Sequence, residues 1–191
     1  MILNFLYAFD KNYTRQGCVS IYSLLEQVDR KINIFVILDE TNKSFEFPEN
    51  IKSHRNLKQI TVKIIDTNNE FYNVEQSHIS KATFYRLYIS SLFKNEDKKL
   101  IYLDADIVCV ANPIKEISSA ISKLEFENKC LAFADEFYRY QNEEPFLRLE
   151  MSGTSYFNAG VMIVDSQRWR ENEYSKKSIN LIEKLKNKAQ F

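Results

Sequence analysis

Short apolar stretches alternate along the chain with stretches in which apolar residues recur at helical spacing. The apolar stretches predict strands at 2–9, 31–38, 59–66, 99–110, 129–134 and within 156–165. Helical spacing and start signals predict a helix that Thr14 could cap, helices from Ser80 to Phe93 and from Asn112–Pro113, and a short helix within 41–57. Trp169 and Tyr174 to Leu185 are predicted to form a last amphipathic helix. This alternation is typical of an α/β fold with a mainly parallel central sheet flanked by helices.

Polar residues follow several of the predicted strands. They are Asp10 to Asn12, Asp39, Asp66, Asp104 to Asp106, and Asp135. In mainly parallel sheets, ligands bind beyond the carboxyl ends of the strands. The sequence therefore predicts that these side chains gather at one edge of the sheet.

Two of these acids, Asp104 and Asp106, are set into the apolar run 99–110. Two residues apart on an extended chain, they are expected to project to the same side. Burying carboxylates without a partner costs several kcal/mol or more, so a cation is expected opposite them. A divalent metal is one candidate, because hard cations prefer carboxylate oxygens. The alternative is that the acids cap the strand end, bind loop amides or pair with a distant arginine.

Composition narrows the class of protein. The 191 residues are sufficient for one domain with a substantial core. The formal net charge of zero gives no indication that the protein binds nucleic acid over a large basic surface. An anionic ligand would have to be held by a local site. Three widely spaced cysteines, Cys18, Cys109 and Cys130, predict reduced thiols in a cytoplasmic protein and no structural zinc site. Peripheral association with the inner face of the membrane stays open.

Four segments taken together carry a resemblance to a known family. They are Tyr7 to Tyr13 (YAFDKNY), His78 to Leu87 (HISKATFYRL), Tyr102 to Asp106 (YLDAD) and Tyr156 to Val161 (YFNAGV). In this order and spacing, they resemble glycosyltransferase family 8, which includes bacterial lipopolysaccharide galactosyl- and glucosyltransferases and the more distant glycogenins. The resemblance spans residues 1–191 as one domain. It implies a GT-A type, Rossmann-like fold that binds a nucleotide sugar.

The resemblance also implies a role for each matching residue. The uridine would be held by Ala8, Asp10, Asn12 and Tyr13, and the ribose would lie against Ala105. Arg86 would reach the donor, and Asp104 and Asp106 would bind the metal. Asp135 would be the catalytic candidate near the transferred sugar, whose pocket Asn158 and Ala159 would line. Other readings of these residues stay open. Arg86 could be a surface or ion-pair residue, Asp10 and Asn12 a turn and helix cap, and 158–160 a strand bulge.

The activity implied by the resemblance is transfer of a hexose from UDP-galactose or UDP-glucose to a glycan or lipid-linked acceptor, with retention. Mn²⁺ is the implied metal, and the acids alone would equally allow Mg²⁺. The family's Asp-Gln-Asp type motif, a metal-binding His and a phosphate-binding Lys have no match within the 191 residues. The chain alone is therefore expected to be weakly active or to be an inactive nucleotide-sugar-binding module. A nucleotidyltransferase is a third candidate, but it usually has a glycine-rich phosphate loop, and this chain has only three glycines.

Overall fold

The structure, a computed structural model, describes residues 2–65, 81–135, 150 and 157–185. In these ranges, six strands form one sheet in the order β3-β2-β1-β4-β6-β5. The strands are β1 (Asn4–Ala8), β2 (Ile32–Asp39), β3 (Leu57–Ile65), β4 (Lys99–Leu103), β5 (Leu131–Asp135) and β6 (Phe157–Asp165). The first four pair in parallel, whereas β6 runs antiparallel to both β4 and β5. The predicted α/β class with a mainly parallel sheet is confirmed.

The helices agree with the predicted segments, with differences at their ends and with Trp169 in a separate helix before Tyr174–Leu185. They are α1 (Thr14–Gln27), α2 (Glu49–Lys52), α3 (Ile89–Leu92), α4 (Ile114–Phe126), α5 (Ser166–Glu171) and α6 (Tyr174–Leu185). The helix predicted over 80–93 is a 3₁₀ helix, Lys81–Tyr88, that continues into α3. Thr14 is the first residue of α1 and Tyr13 occupies the capping position, so Thr14 is not the cap; its hydroxyl donates to the Lys11 carbonyl, 3.2 Å away. None of the described helices is both long and apolar enough to cross a bilayer.

Both faces of the sheet are covered, which explains the uninterrupted apolar character of its central strands. In β1, Phe5 and Tyr7 pack on the face that carries α1, α2 and α4. Leu6 and Ala8 pack on the opposite face, with the 3₁₀ helix, α3 and α5. The edge formed by the carboxyl ends of the parallel strands belongs to neither covered face, and polar residues lie there.

The strand predicted over 99–110 is wrong beyond Leu103. The Asp104 N–H donates to the Gly160 carbonyl at 2.8 Å, and the chain then turns, with the Ile107 N–H donating to the Asp104 carbonyl. Val108 and Val110 are exposed by 56% and 84%, so the later part of the apolar run is not a buried strand. The extended geometry expected to align Asp104 and Asp106 is therefore absent, and a turn places them instead.

The predicted gathering of polar strand ends is largely present. Asp10, Asp39 and Asp104 follow or end three parallel strands, and their backbones lie at the same edge of the sheet. Asp135 ends β5, which runs in the direction of β4, and its backbone reaches this edge too. The Asp135 side chain and all of Asp66 lie outside the described part of the structure.

Candidate functional site

A cavity of about 320 Å³ opens at the carboxyl ends of β1 and β4, beside the 3₁₀ helix. This volume is at the lower end of the range for small-molecule sites. The lining residues are Ala8, Phe9, Tyr13, Ala82, Thr83, Arg86, Tyr102, Asp104, Ala105 and Asp106. Six of them, Ala8, Tyr13, Arg86, Asp104, Ala105 and Asp106, are residues for which the sequence predicts a role in binding.

Asp104 is the most constrained acid of the cavity. Its Oδ1 accepts one hydrogen bond from the Tyr102 hydroxyl at 2.7 Å and another from Arg86 Nη2 at 2.9 Å. Burial raises the pKa of Tyr102 far above its ordinary value, so its hydroxyl stays protonated and remains a donor. Two donors on one oxygen hold the carboxylate in a single orientation.

Arg86 is the cation that faces Asp104. It also donates from Nη1 to the Ala159 carbonyl at 2.7 Å and from Nε to the Thr83 carbonyl at 2.9 Å. Its guanidinium carbon lies 4.5 Å from the centroid of the Tyr102 ring, within the range of a cation–π contact. Arg86 therefore forms an ion pair in the structure, as one of the alternative interpretations expected. Its contact with a nucleotide-sugar donor stays a prediction.

Asp106 lies on the same turn, is exposed, and borders the cavity with Asp104. In the described ranges, no three His, Cys, Asp or Glu side chains are grouped closely enough to hold a metal ion. Two carboxylates on one turn nevertheless suit a hard divalent cation that completes its shell with phosphate and water oxygens. The donor set fits such an ion, with Asp104 and Asp106 as the residues that would hold it.

Asp10 and Asn12 act locally in the turn after β1. The Asp10 carboxylate accepts from the Asn12 N–H at 2.8 Å and caps the short 3₁₀ helix Lys11–Tyr13. The turn-and-cap reading is therefore correct for this pair. Neither residue lines the cavity, which is reached from this segment by Ala8, Phe9 and Tyr13.

The bulge reading of residues 158–160 is also correct. The pairing of β5 with β6 shifts there, from Phe133 opposite Met162 to Ala134 opposite Asn158. The Asn158 side-chain oxygen accepts from the Gly160 N–H at 2.8 Å, and the bulged strand presents the Ala159 carbonyl to Arg86. Asn158 and Ala159 thus lie next to the cavity without lining it.

Gly160 allows the bulge to approach the acids. A Cβ atom at this position would lie 2.9 Å from Asp104 Oδ2 and 3.0 Å from Asn158 Oδ1. Ordinary side chains do not make contacts this close, so a glycine is required if Asp104 is to keep its place.

Four lining residues, Phe9, Ala82, Thr83 and Tyr102, have no role assigned from the sequence. Tyr102 could have been found, because it precedes Asp104 by two residues and so lies on the same side of the strand. Ala82 and Thr83 are within the segment 78–87 that carries the resemblance, but their contact with the cavity depends on how the 3₁₀ helix packs on the sheet. His78 lies outside the described residues.

The fold is that of GT-A glycosyltransferases. The crystal structure of the galactosyltransferase LgtC, solved with donor and acceptor sugar analogs, matches 99% of this chain and 67% of that chain with a TM-score of 0.78. Sequence identity in this match is 21%, so it establishes the shared fold. The predicted GT-A fold is confirmed.

The chain itself belongs to glycosyltransferase family 8. The family model with the description Glycosyl transferase family 8 matches residues 4–191. The membership predicted from the four segments is confirmed.

Two curated relatives show the extent of the similarity. General stress protein A of Bacillus subtilis (strain 168) is 31% identical over 196 residues, which cover 95% of this chain and 62% of that protein. A lipopolysaccharide 1,2-glucosyltransferase of Escherichia coli (strain K12) is 30% identical over 186 residues, which cover 94% of this chain and 52% of that protein. The chain spans about half to three fifths of the length of these relatives.

Proposed function

We propose that the chain supplies the donor site of a metal-dependent glycosyltransferase that takes a hexose from UDP-galactose or UDP-glucose. The supporting observation is the cavity itself. Ala8, at the end of β1, and Tyr13, from the turn after it, line the same cavity as Arg86 and the Asp104–Asp106 turn. In this proposal, the nucleoside would lie at the end of β1 and the diphosphate would lie beside Asp104 and Asp106.

The chemistry requires that the charge developing on the leaving diphosphate be offset. A divalent ion, Mn²⁺ or Mg²⁺, would supply Lewis acidity and orientation at the diphosphate. Asp104 and Asp106 would hold that ion, while Tyr102 and Arg86 keep Asp104 oriented. Because the whole chain has no net charge, attraction of the diphosphate depends on this local arrangement.

Arg86 would contribute positive charge as well as orientation. Its guanidinium is permanently charged and its side chain is only 13% exposed, so solvent screens its field weakly. It lies between the Asp104 carboxylate and the β6 bulge, where Asn158 and Ala159 would line the sugar pocket. A hexose attached to the diphosphate would then reach the region of Asp135.

The acceptor in this proposal is a saccharide of the lipopolysaccharide type, as the name of the Escherichia coli relative suggests. Transfer would retain the anomeric configuration by front-face displacement assisted by the leaving phosphate, with Asp135 as a sugar contact. We propose a cytoplasmic location, consistent with the free thiols of Cys18, Cys109 and Cys130. A lipid-linked acceptor would add peripheral contact with the membrane.

Calorimetric titration of UDP in Mn²⁺ buffer tests the site. We expect Asp104→Asn combined with Asp106→Asn to weaken binding by at least tenfold, because carboxylate charge holds the ion. Asp29→Asn, which changes an exposed acid paired with Arg30, is the control and should bind as the parent does. Equal affinity of the double variant and the parent would overturn the proposal.

A transfer assay separates the enzyme from the inactive module. The chain is supplied with UDP-galactose or UDP-glucose and a lipopolysaccharide-type saccharide acceptor, and product is measured by mass. Turnover supports the transferase, whereas binding of UDP without turnover supports a nucleotide-sugar-binding module.

A further inference from the structure

Two serines of α1 hold the backbone that follows the acidic turn. The Ser20 hydroxyl donates to the Ile107 carbonyl, and the Ser23 hydroxyl oxygen accepts from the Cys109 N–H at 2.9 Å. Three residues apart on a helix, the two hydroxyls lie on one face and meet backbone groups of Ile107 and Cys109, two residues apart on the facing segment. We call this pair, Ser20 and Ser23, the serine clamp.

The serine clamp begins where strand pairing ends. The register of β4 with β6 ends at Leu103 opposite Val161, and the next residue, Asp104, still donates its N–H to the Gly160 carbonyl. Backbone groups that leave a sheet still need partners when they are buried, and α1 supplies them at Ile107 and Cys109. The turn with Asp104 and Asp106 is thus held at its start by a bond to β6 and just after its end by bonds to α1.

The clamp stands on a rigid base. Ser20 is 1% exposed, and its hydroxyl oxygen lies 3.5 Å from the hydroxyl of the fully buried Tyr7. One turn earlier, α1 lies so close to Phe9, the residue that follows β1, that a Cβ at Gly17 would be 2.5 Å from the Phe9 ring. Because α1 cannot shift along the sheet without disturbing the core, the Ser20 and Ser23 hydroxyls are held in place.

We infer that Ser20, assisted by Ser23, is a positioning residue that sets the Asp104–Asp106 turn for a divalent ion and the diphosphate. This role rests on the proposed function. The same helix begins next to Tyr13, which lines the cavity and is expected to contact the nucleoside. Helix α1 therefore connects the wall expected to hold the nucleoside with the turn expected to hold the ion.

The test compares two ligands in Ser20→Ala. Affinity for UDP in Mn²⁺ buffer should fall on the order of tenfold, the lower end of what the loss of a supporting contact costs at metal sites. Affinity for uridine, which has no diphosphate, should stay unchanged when measured by NMR titration. Ser122→Ala is the matched control, because the Ser122 hydroxyl donates to the Ser118 carbonyl of its own helix, at an exposed position. Equal losses for UDP and uridine, or no loss, would overturn the inference.

Hydrogen–deuterium exchange of the ligand-free chain gives a second, independent reading. Ser20→Ala should increase exchange at the amides of 104–110 and leave those of β1 and β2 as in the parent. If Ser20→Ala does not fold, Ser23→Ala, in a less buried place, should show the same pattern at Cys109. Unchanged exchange in the folded variants would overturn the inference even if the parent binds UDP. A parent that fails to bind UDP overturns the proposed function, while exchange still decides whether the clamp fixes the turn.

Discussion

At the scale of single residues, the site depends on how Asp104 is surrounded. Tyr102 and Arg86 occupy one carboxylate oxygen, and Gly160 comes close to the other. The acid can neither rotate nor move back without losing a hydrogen bond or meeting the β6 bulge. This fixed orientation is what a site for an ion requires, because ligand geometry determines affinity.

Gly160→Ala tests this constraint. The added methyl group would lie 2.9 Å from Asp104 Oδ2, and the carboxylate would have to leave Tyr102 or Arg86 to make room. We expect UDP affinity in Mn²⁺ buffer to fall about tenfold and unfolding free energy to fall by about 1–2 kcal/mol. Calorimetry and urea unfolding measure the two effects. Undiminished affinity would show that Asp104 moves freely.

At the scale of elements, Asp165 joins the ends of three strands to the helix that follows. Its carboxylate accepts from the Arg168 N–H at 3.1 Å, capping α5, and pairs with Lys99 of β4 at 2.9 Å. Its own N–H donates to the Cys130 carbonyl just before β5. Burial alone would raise the pKa of Asp165, but the Arg168 N–H and Lys99 outweigh it and hold that pKa below its ordinary value.

This lowered pKa predicts how stability depends on pH. Because the folded chain binds the proton of Asp165 less readily than the unfolded chain does, its contribution is present above about pH 5. It is lost as pH falls through the folded pKa, which lies below the ordinary 3.8. Asp165→Asn should reduce unfolding free energy by about 1–2 kcal/mol at pH 7, since Asn can keep the cap but not the charge.

Urea unfolding across this pH range checks the prediction. The difference between the parent and Asp165→Asn should shrink as pH falls below 4, because the parent loses the same charge. Glu116→Gln, at an exposed position of α4, should follow the parent at every pH. A constant difference down to pH 2 would contradict the assignment.

At the scale of the whole molecule, ligands that bind only the folded chain should stabilise it. The cavity lies between the ends of β1 and β4, at the centre of the sheet, so its loss accompanies global unfolding. Ligand at a hundred times its dissociation constant adds about 2.7 kcal/mol. For a chain of this size, that corresponds to a rise in Tm of about 5–10 °C.

Thermal unfolding with UDP and Mn²⁺ measures this rise. A chelator added with UDP should abolish most of it, because the diphosphate would then lack its ion. Asp104→Asn combined with Asp106→Asn should show little rise with or without the chelator. A rise that persists in chelator would mean that UDP binds independently of the acids.

The local pattern of apolar and polar residues was sufficient to predict the α/β class, most positions of strands and helices, and the gathering of polar residues at one edge of the sheet. The four segments were sufficient for the family. Apolar runs and helical spacing are short-range signals, and burial on both faces of the sheet makes them strong in this chain. The same signal was misleading over 104–110, because apolar residues there follow the turn on an exposed path.

Amino-acid sequence by itself determined the alternation of strands and helices, the membership of glycosyltransferase family 8, and the presence of paired acids after an apolar run. Only the tertiary structure decided that Arg86 faces Asp104, that β6 bulges at Gly160, and that α1 holds the turn through Ser20. Ser20 and Ile107 are 87 positions apart, and Arg86 and Ala159 are 73 apart. The spacing of residues along the chain reports the preferences of neighbours, whereas contacts over such separations depend on how the packed sheet brings distant segments together.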